Sequence, residues 1–282
     1  MRLILSMDYI VNKILYNMNS ETYIIRGDKS LIYPGKPLDI DTRKKRLYHY
    51  TSFNSFVKIW LTKTLKFGNI MDMNDIFESN FSSQCHSIKD MEYMNLYHEE
   101  KKHYKQISLT MDYDSFIQGC MSPMMWGQYA DKAKGVCIEF DYNKLMQHIE
   151  PTILHNVVSY VSILPEPPKI TQAEVMDFDS FFMKNRKDIF FTKHNSWSHE
   201  NEYRIVSKKE FLKIDDAITA IYITKCSSYE CECIEKLLKD NNEIFFLCVY
   251  QDFMPNVGTY YNICDVEQRK KSYCHDESRK ML

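Results

Sequence analysis

The sequence predicts an α+β fold, with a mixed, mostly antiparallel sheet and helices around it, over about residues 46–250. Strand-like segments outnumber clear strand–helix–strand units, so parallel crossovers cannot build most of the sheet. The chain has 282 residues, of which 44% are hydrophobic, and it can therefore bury a full core. With only 7 Gly and 8 Pro, little of it is suited to long flexible loops.

The chain is predicted to have three parts. Residues 1–42 form an N-terminal arm, 43–250 the main α+β domain, and 251–282 a polar C-terminal tail. The arm ends in a stretch that contains Pro34, Gly35 and Pro37, which marks a boundary. We expect the charged tail to be loose.

The first half of the domain begins with a strand, Arg46–Ser52, that leads straight into a helix. The helix is predicted because apolar residues recur at helical spacing; they are Phe53, Phe56, Val57, Trp60 and Leu61. The next elements are a short strand, a polar loop, a surface helix and a strand. Their predicted ranges are Leu65–Phe67, Met71–Glu78, Tyr93–Gln106 and Ile107–Thr110.

The central part is predicted to contain a helix followed by a strand. Ser122 and Pro123 form an N-cap and first-turn pair, and Lys134-Gly135 is predicted to end the helix that they start. Val136–Asp141 is then a strand. A strand, a helix and a second strand thus follow one another in quick order.

The second half alternates strands and helices. Asn156–Leu164 is β-branched and aromatic, as in strands. Thr171 and Glu174 form a capping box in front of a Phe-rich helix. Strand, strand, helix and strand follow, at Tyr203–Val206, Thr219–Thr224, Ser228–Lys239 and Glu243–Tyr250.

Composition excludes several classes of protein. A net charge of −2 argues against binding of duplex nucleic acid by a dense basic face, and the run Arg43–Arg46 is typical of a solvated linker. Nine cysteines without a CxxC pair indicate free thiols in a reducing compartment. The N-terminus lacks the features of a signal peptide, and no apolar run is long enough to span a membrane. We therefore expect a cytoplasmic protein.

Four sequence blocks carry a family resemblance. They are Leu47–Ser52, Met73–Glu78, Met125–Asp141 and Trp197–Arg204. In order and spacing they resemble the bacterial domain-of-unknown-function family twenty-nine seventy-one, over roughly Arg46 to Tyr250. That family implies no reaction.

The Tyr-His-Tyr-Thr strand before an amphipathic helix also resembles the first motif of the ADP-ribosyltransferase superfamily. The resemblance implies that His49 holds a ribose of NAD, that Trp126 or Tyr129 packs on nicotinamide, and that Glu202 faces the bond that breaks. Glu200 and Glu202 resemble the carboxylate pair of some members. Further candidate NAD-binding residues are Tyr50, Thr51 and Arg204.

These residue types suit the implied chemistry. Breaking the nicotinamide–ribose bond builds positive charge on the sugar, which a carboxylate such as Glu202 can stabilise. An aromatic ring can stack on nicotinamide, and His49 can hydrogen-bond ribose hydroxyls. The resemblance thus implies an NAD-using transferase or hydrolase, and the superfamily's habits extend this to a toxin or phage-defence effector. Its partner would be a small-molecule nucleotide, and its acceptor, protein or nucleic acid, is unknown.

Each candidate residue also has a structural interpretation. Trp126 and Tyr129 lie on an apolar helix face and can serve only in packing. Glu202 and Arg204 alternate on one strand face and can form a purely structural ion pair. His49 can be a satisfied, partly buried histidine, and Asn74-Asp75 can be just a turn.

Two other functions stay open at this stage. One is a non-catalytic interaction or sensing module on the same fold. The other is a metal-dependent hydrolase in which Asn74–Glu78 and Glu200 hold a divalent cation through oxygen ligands. The cysteine and histidine spacing matches no standard zinc site, and we expect no metal.

Overall fold

The computed structural model describes residues 45–75, 88–113, 118–165, 177–241, 243–254 and 258–266. The predicted N-terminal arm, the Thr171 capping box and the last part of the tail lie outside these residues, as do Ile76–Glu78 of the predicted polar loop.

A nine-stranded sheet forms the centre of the fold. Its strands are β1 Arg46–Thr51, β3 Gly68–Asn69, β4 Lys105–Met111, β5 Val136–Asp141, β6 Leu154–Val157, β9 Glu202–Ser207, β11 Ile218–Ile223, β12 Phe245–Met254 and β13 Gly258–Asp265. They follow the order β13-β12-β11-β5-β1-β4-β9-β6 across the sheet, and β3 also pairs with β4. Two small sheets pair β2 Thr64–Lys66 with β10 Phe211–Lys213 and β7 Ser159–Val161 with β8 Thr192–His194.

The main sheet is mixed and mostly antiparallel. Within the part that the structure describes, only β11 and β12 run parallel in it. Helices α1 Phe53–Thr62, α2 Ile88–Lys101, α3 Pro123–Tyr129, α4 Tyr142–Gln147, α5 Phe178–Phe190 and α6 Ser228–Leu238 surround it. The α+β prediction is confirmed.

Apolar side chains fill both faces of the sheet. One face packs against α1, α4 and α6, which contribute Phe56, Leu145 and Ile234. The other packs against α3, which contributes Met125 and Trp126. A smaller aromatic cluster joins α2 and α5. Period-2 alternation along the strands separates the two faces.

The helix predicted over Ser122–Gly135 is shorter in the structure. Ser122 caps it as predicted, its side chain accepting from the Met125 N–H, but α3 ends at Tyr129. Asp131, Lys132 and Ala133 follow with positive φ angles. Successive left-handed residues cannot continue a right-handed helix, and the sequence gives no Gly at these positions to announce it.

Three other predicted boundaries also differ. The surface helix ends at Lys101, and β4 begins at Lys105, inside the range predicted as helix. Asn156–Leu164 divides into β6 and β7, which belong to different sheets. The sheet extends into the predicted tail, because β12 pairs with β13 there. The paired residues run from Leu247 with Asp265 to Met254 with Gly258. Backbone pairing includes polar residues such as the exposed Gln251, which a hydrophobic pattern does not mark as part of a strand.

Candidate functional site

The candidate site begins as an opening beside β4. Two strands share one edge of β4. β1 pairs there through Leu47 with Met111 and Tyr48 with Thr110. β3 pairs through Gly68 with Gln106 and Asn69 with Lys105. Between these pairs, 107–109 have no ladder partner on that edge among the described residues. Ser108 is consequently exposed in the middle of a central strand.

A cavity of about 260 Å³ occupies this opening, and we call it the central cavity. β1, β4 and β9 contribute to its walls, together with α3, the β2–β3 region and the segment around β8. Its lining includes Tyr48, His49, Tyr50, Lys66, Gly68, Met73, Asn74, Gln106, Ser108, Thr110, Met125, Tyr129, Lys193, Glu200 and Glu202. Five of the residues singled out from the sequence thus meet at one place: His49, Tyr50, Tyr129, Glu200 and Glu202.

Glu202 is a buried carboxylate in this wall. Arg204 Nε donates to its Oε1 at 2.7 Å and Nη2 to its Oε2 at 2.8 Å, while Lys193 Nζ lies 4.0 Å from Oε2. Burial alone would raise the pKa of Glu202, but the charges of Arg204 and Lys193 outweigh it, so the pKa lies below its usual range. Glu202 therefore stays ionised at neutral pH.

Glu200 is a second buried carboxylate, fixed by different partners. It ends the 3₁₀ helix Asn195–Glu200, just before β9. Tyr129 donates its hydroxyl to Oε1, and Lys193 Nζ lies 2.8 Å from Oε2. Burial, and next the contact with Glu200, raise the pKa of Tyr129, so this phenol stays protonated and acts as a donor.

Lys193 is the cation between the two carboxylates. Its side chain is buried, and Nζ also lies 4.5 Å from the centre of the Trp197 ring. Together with Arg204 it balances the two negative charges, as buried charges require. Lys193 in the wall and Arg204 behind it therefore each form an ion pair with one of the two carboxylates.

His49 and Glu202 reach the central cavity from different faces of the sheet. Tyr48 pairs with Thr110 and Thr110 with Glu202, so these three share one face, whereas His49 follows Tyr48 and points to the other. His49 lines the cavity where β1 leaves β4, with Nδ1 3.4 Å from the Ser108 carbonyl oxygen. Burial lowers its pKa, against the opposing effect of that carbonyl, so His49 is neutral at pH 7.

Three candidate residues do not line the central cavity. Trp126 is 4% exposed and packs edge-on against Tyr50, with their ring centroids 5.2 Å apart. Its Nε1–H donates to the Cys120 carbonyl oxygen at 2.7 Å. Thr51 is buried at the end of β1. Arg204 is buried behind Glu202 and also donates to the Phe190 carbonyl at 2.8 Å. Their predicted contacts with NAD would need a rearrangement.

Sequence reasoning missed Lys193, Gln106 and Ser108, all of which line the central cavity. The sequence gives no signal for Lys193, because a lysine is ordinarily exposed and its buried partner Glu200 is brought to it only by the fold. Gln106 and Ser108 alternate on β4, but Gln106 had been placed in the preceding helix. Correct strand boundaries would have put both on one face of β4, and the register of β4 against β9 makes this the face of Glu202.

The comparisons with known proteins add one finding. Residues 125–205 match the model of a family described as "Protein of unknown function (DUF2971)". This segment, less than a third of the chain, is similar to that family. The match confirms the family prediction over the third and fourth sequence blocks, while the blocks Leu47–Ser52 and Met73–Glu78 lie outside it. No curated protein and no solved structure matches the chain.

Two further features of the described residues bear on the sequence predictions. No helix among them combines the length and the apolar character needed to cross a membrane. They also contain no group of three His, Cys, Asp or Glu side chains arranged to hold a metal ion. Glu78 lies outside them, so the metal-dependent alternative stays a prediction.

Proposed function

We propose that the central cavity binds the nicotinamide–ribose end of NAD, and that the protein is an NAD-using transferase or hydrolase of the ADP-ribosyltransferase type. The observation that carries this proposal is the ionised, buried carboxylate of Glu202 in a cavity wall that also presents Tyr129 and His49. Loss of nicotinamide leaves positive charge on the ribose, and a fixed negative group stabilises that charge.

The contacts of Glu202 suit an electrostatic role. Both oxygens are held by Arg204, so the carboxylate is oriented before substrate arrives and needs no rearrangement during the reaction. Glu200 supplies a second carboxylate, whose contact with Tyr129 positions the ring at the cavity wall. Tyr129, partly exposed, is the aromatic surface available to a nicotinamide ring.

The size of the cavity limits which part of NAD is enclosed. A volume of about 260 Å³ is just below the range of roughly 300–1,000 Å³ that is usual for pockets of drug-sized ligands. A nicotinamide ring with its ribose suits that space better than a whole dinucleotide. The phosphates would then lie near the exposed Lys66 at the cavity's edge. The acceptor, protein or nucleic acid, would approach from outside.

A non-catalytic binding module is the second candidate function, and a specific observation favours it. Each carboxylate is already paired with a cation, Glu202 with Arg204 and Glu200 with Lys193. Trp126 packs into the core as a structural residue would. In such a module the same cavity would hold a nucleotide without turnover.

Nicotinamide release from NAD separates the two functions. Wild-type protein should release nicotinamide, and Glu202→Gln should lower the rate by about 10²-fold or more, since one well-placed electrostatic stabiliser is lost. Glu139→Gln is the matched control, because Glu139 is also buried but does not line the central cavity. No release by wild type, with or without cell extract as acceptor source, would favour the binding module.

A further inference from the structure

Gln106 presents a hydrogen-bonding group to the central cavity. Its side chain is 4% exposed and lines the cavity. Nε2 donates to Ser108 Oγ at 3.4 Å, whereas the buried Oε1 has no hydrogen-bond partner within the described part of the chain. A buried acceptor without a partner costs free energy, so a bound group that donates to it is favoured.

The neighbours of Gln106 leave space for such a group. Its cross-strand partner on β3 is Gly68, which has no side chain, and its partner on β9 is Val206. A Cβ added at Gly68 would lie 2.9 Å from the Met73 methyl group, so only glycine lets the Met73 side chain pack here. Gly68, Met73 and Gln106 all line the central cavity, so Gln106 borders its volume on the β3 side.

Gln106 is also connected to the proposed reaction centre. The Ser108 hydroxyl accepts from Gln106 and is hydrogen-bonded to Glu202 as well. The amide and the carboxylate thus flank one serine on the same face of the sheet. A flat ring that contacts both would extend from Gln106 toward Glu202.

We propose that Gln106 binds the carboxamide of the nicotinamide ring and selects it over the carboxylate of nicotinic acid. This assignment rests on the proposed function. A primary carboxamide carries an N–H donor for Oε1, while a carboxylate has no donor and brings a charge to a buried wall. The nicotinamide ring then lies with its amide at Gln106 and its glycosidic bond on the Glu202 side.

Equilibrium binding of nicotinamide and nicotinic acid to the full-length protein tests the assignment, because neither compound is turned over. Ligand-observed NMR suits their low affinity. Wild type should bind nicotinamide at least about tenfold more tightly than nicotinic acid, as expected when a buried acceptor loses its donor. Gln106→Met, which keeps the length of the side chain without the amide, should remove this preference.

Gln118→Met is the matched control. Gln118 is 3% exposed and does not line the central cavity, so this variant loses a buried amide elsewhere and should keep the preference. Gln106→Asn provides a second test, because it keeps the amide chemistry but withdraws it by one methylene, and nicotinamide affinity should fall. Thermal unfolding checks that each variant is folded.

Equal affinity of wild type for the two ligands, or a preference that survives in Gln106→Met, would overturn the assignment. So would failure of wild type to bind either ligand. Release of nicotinamide from NAD without selective binding would contradict only the role of Gln106. Selective binding without release would contradict the catalytic function and support the role of Gln106.

Discussion

Removing Arg204 should test how the structure tolerates Glu202. Both residues are 2% exposed, and two hydrogen bonds of 2.7 and 2.8 Å join their side chains. In Arg204→Met, the carboxylate would stay buried with only Lys193, 4.0 Å away, to balance it. Removal of one partner of a buried ion pair costs about 3–5 kcal/mol of unfolding free energy at pH 7. Urea unfolding measures that loss.

The pH dependence gives the sign of the effect. In wild type the pKa of Glu202 is lowered in the folded state, so its contribution to stability is present above the unfolded pKa and is lost as pH falls through the folded value. In Arg204→Met, burial should instead raise this pKa. The variant's deficit should then shrink as pH falls, and the difference between the two proteins should be smallest in acid.

A second substitution and a surface control complete the test. Adding Glu202→Gln to Arg204→Met removes the unpaired charge and should recover part of the loss. Lys208→Met breaks ion pairs with Asp179 and Glu100 in which the lysine is 42% exposed and the carboxylates 77% and 25%, and it should cost less than Arg204→Met does. A loss below about 1 kcal/mol in Arg204→Met, with no recovery in the double variant, would refute the reasoning.

Three more predictions concern single residues. His49→Asn should reduce the loss of stability that wild type shows below about pH 6.5, because unfolded His49 takes up a proton before folded His49 does; His155, whose pKa is likewise lowered by desolvation, keeps its own contribution, and urea unfolding at about pH 7.5 and about pH 5.5 measures the difference. Trp126→Phe should cost about 1–3 kcal/mol and leave NAD affinity unchanged, because the indole lies outside the central cavity; thermal unfolding and titration calorimetry check both. Gly119→Ala should lower the unfolding free energy by about 1–3 kcal/mol or more, because the added Cβ would lie 2.3 Å from the Tyr48 ring. Gly127→Ala is the control: its Cβ would meet open space in a helix, and the substitution should be neutral or stabilising. Equal unfolding temperatures for the two alanine variants would contradict the packing described.

The sequence predicts strands where apolar patterning is strong. β1, β5 and β11 occur close to their predicted ranges, because their alternate residues fill two apolar faces. β8 and β10 have three residues each and β3 has two, and segments this short have no readable period. β13 lies in the predicted tail, and its pairing with β12 identifies it as a strand.

The candidate site could be predicted in part. Local motifs identified His49, Tyr129, Glu200 and Glu202, and the sheet brings these residues to one cavity. The positions of Gln106 and Ser108 in the site depend on the register of β4 against β9, and the position of Lys193 depends on the pairing of β8 with β7. Both pairings are long-range features that the local sequence does not show. The superfamily resemblance also predicted that Trp126 contacts NAD. In the structure, the face of α3 that carries Trp126 packs into the core. A helical spacing of aromatic residues does not show whether one of them ends at a cavity.

The most direct test of the central claim uses the methionine methyl groups. Met73 and Met125 line the central cavity, whereas Met91 and Met183 are 55% and 44% exposed and lie outside its walls. In protein labelled with ¹³C at methionine methyls, with signals assigned by Met→Leu variants, titration with NAD should shift Met73 and Met125 in a saturable manner. Met91 and Met183 should keep their positions. Shifts confined to Met91 or Met183, or none at Met73 and Met125 at millimolar NAD, would contradict binding of NAD in the central cavity.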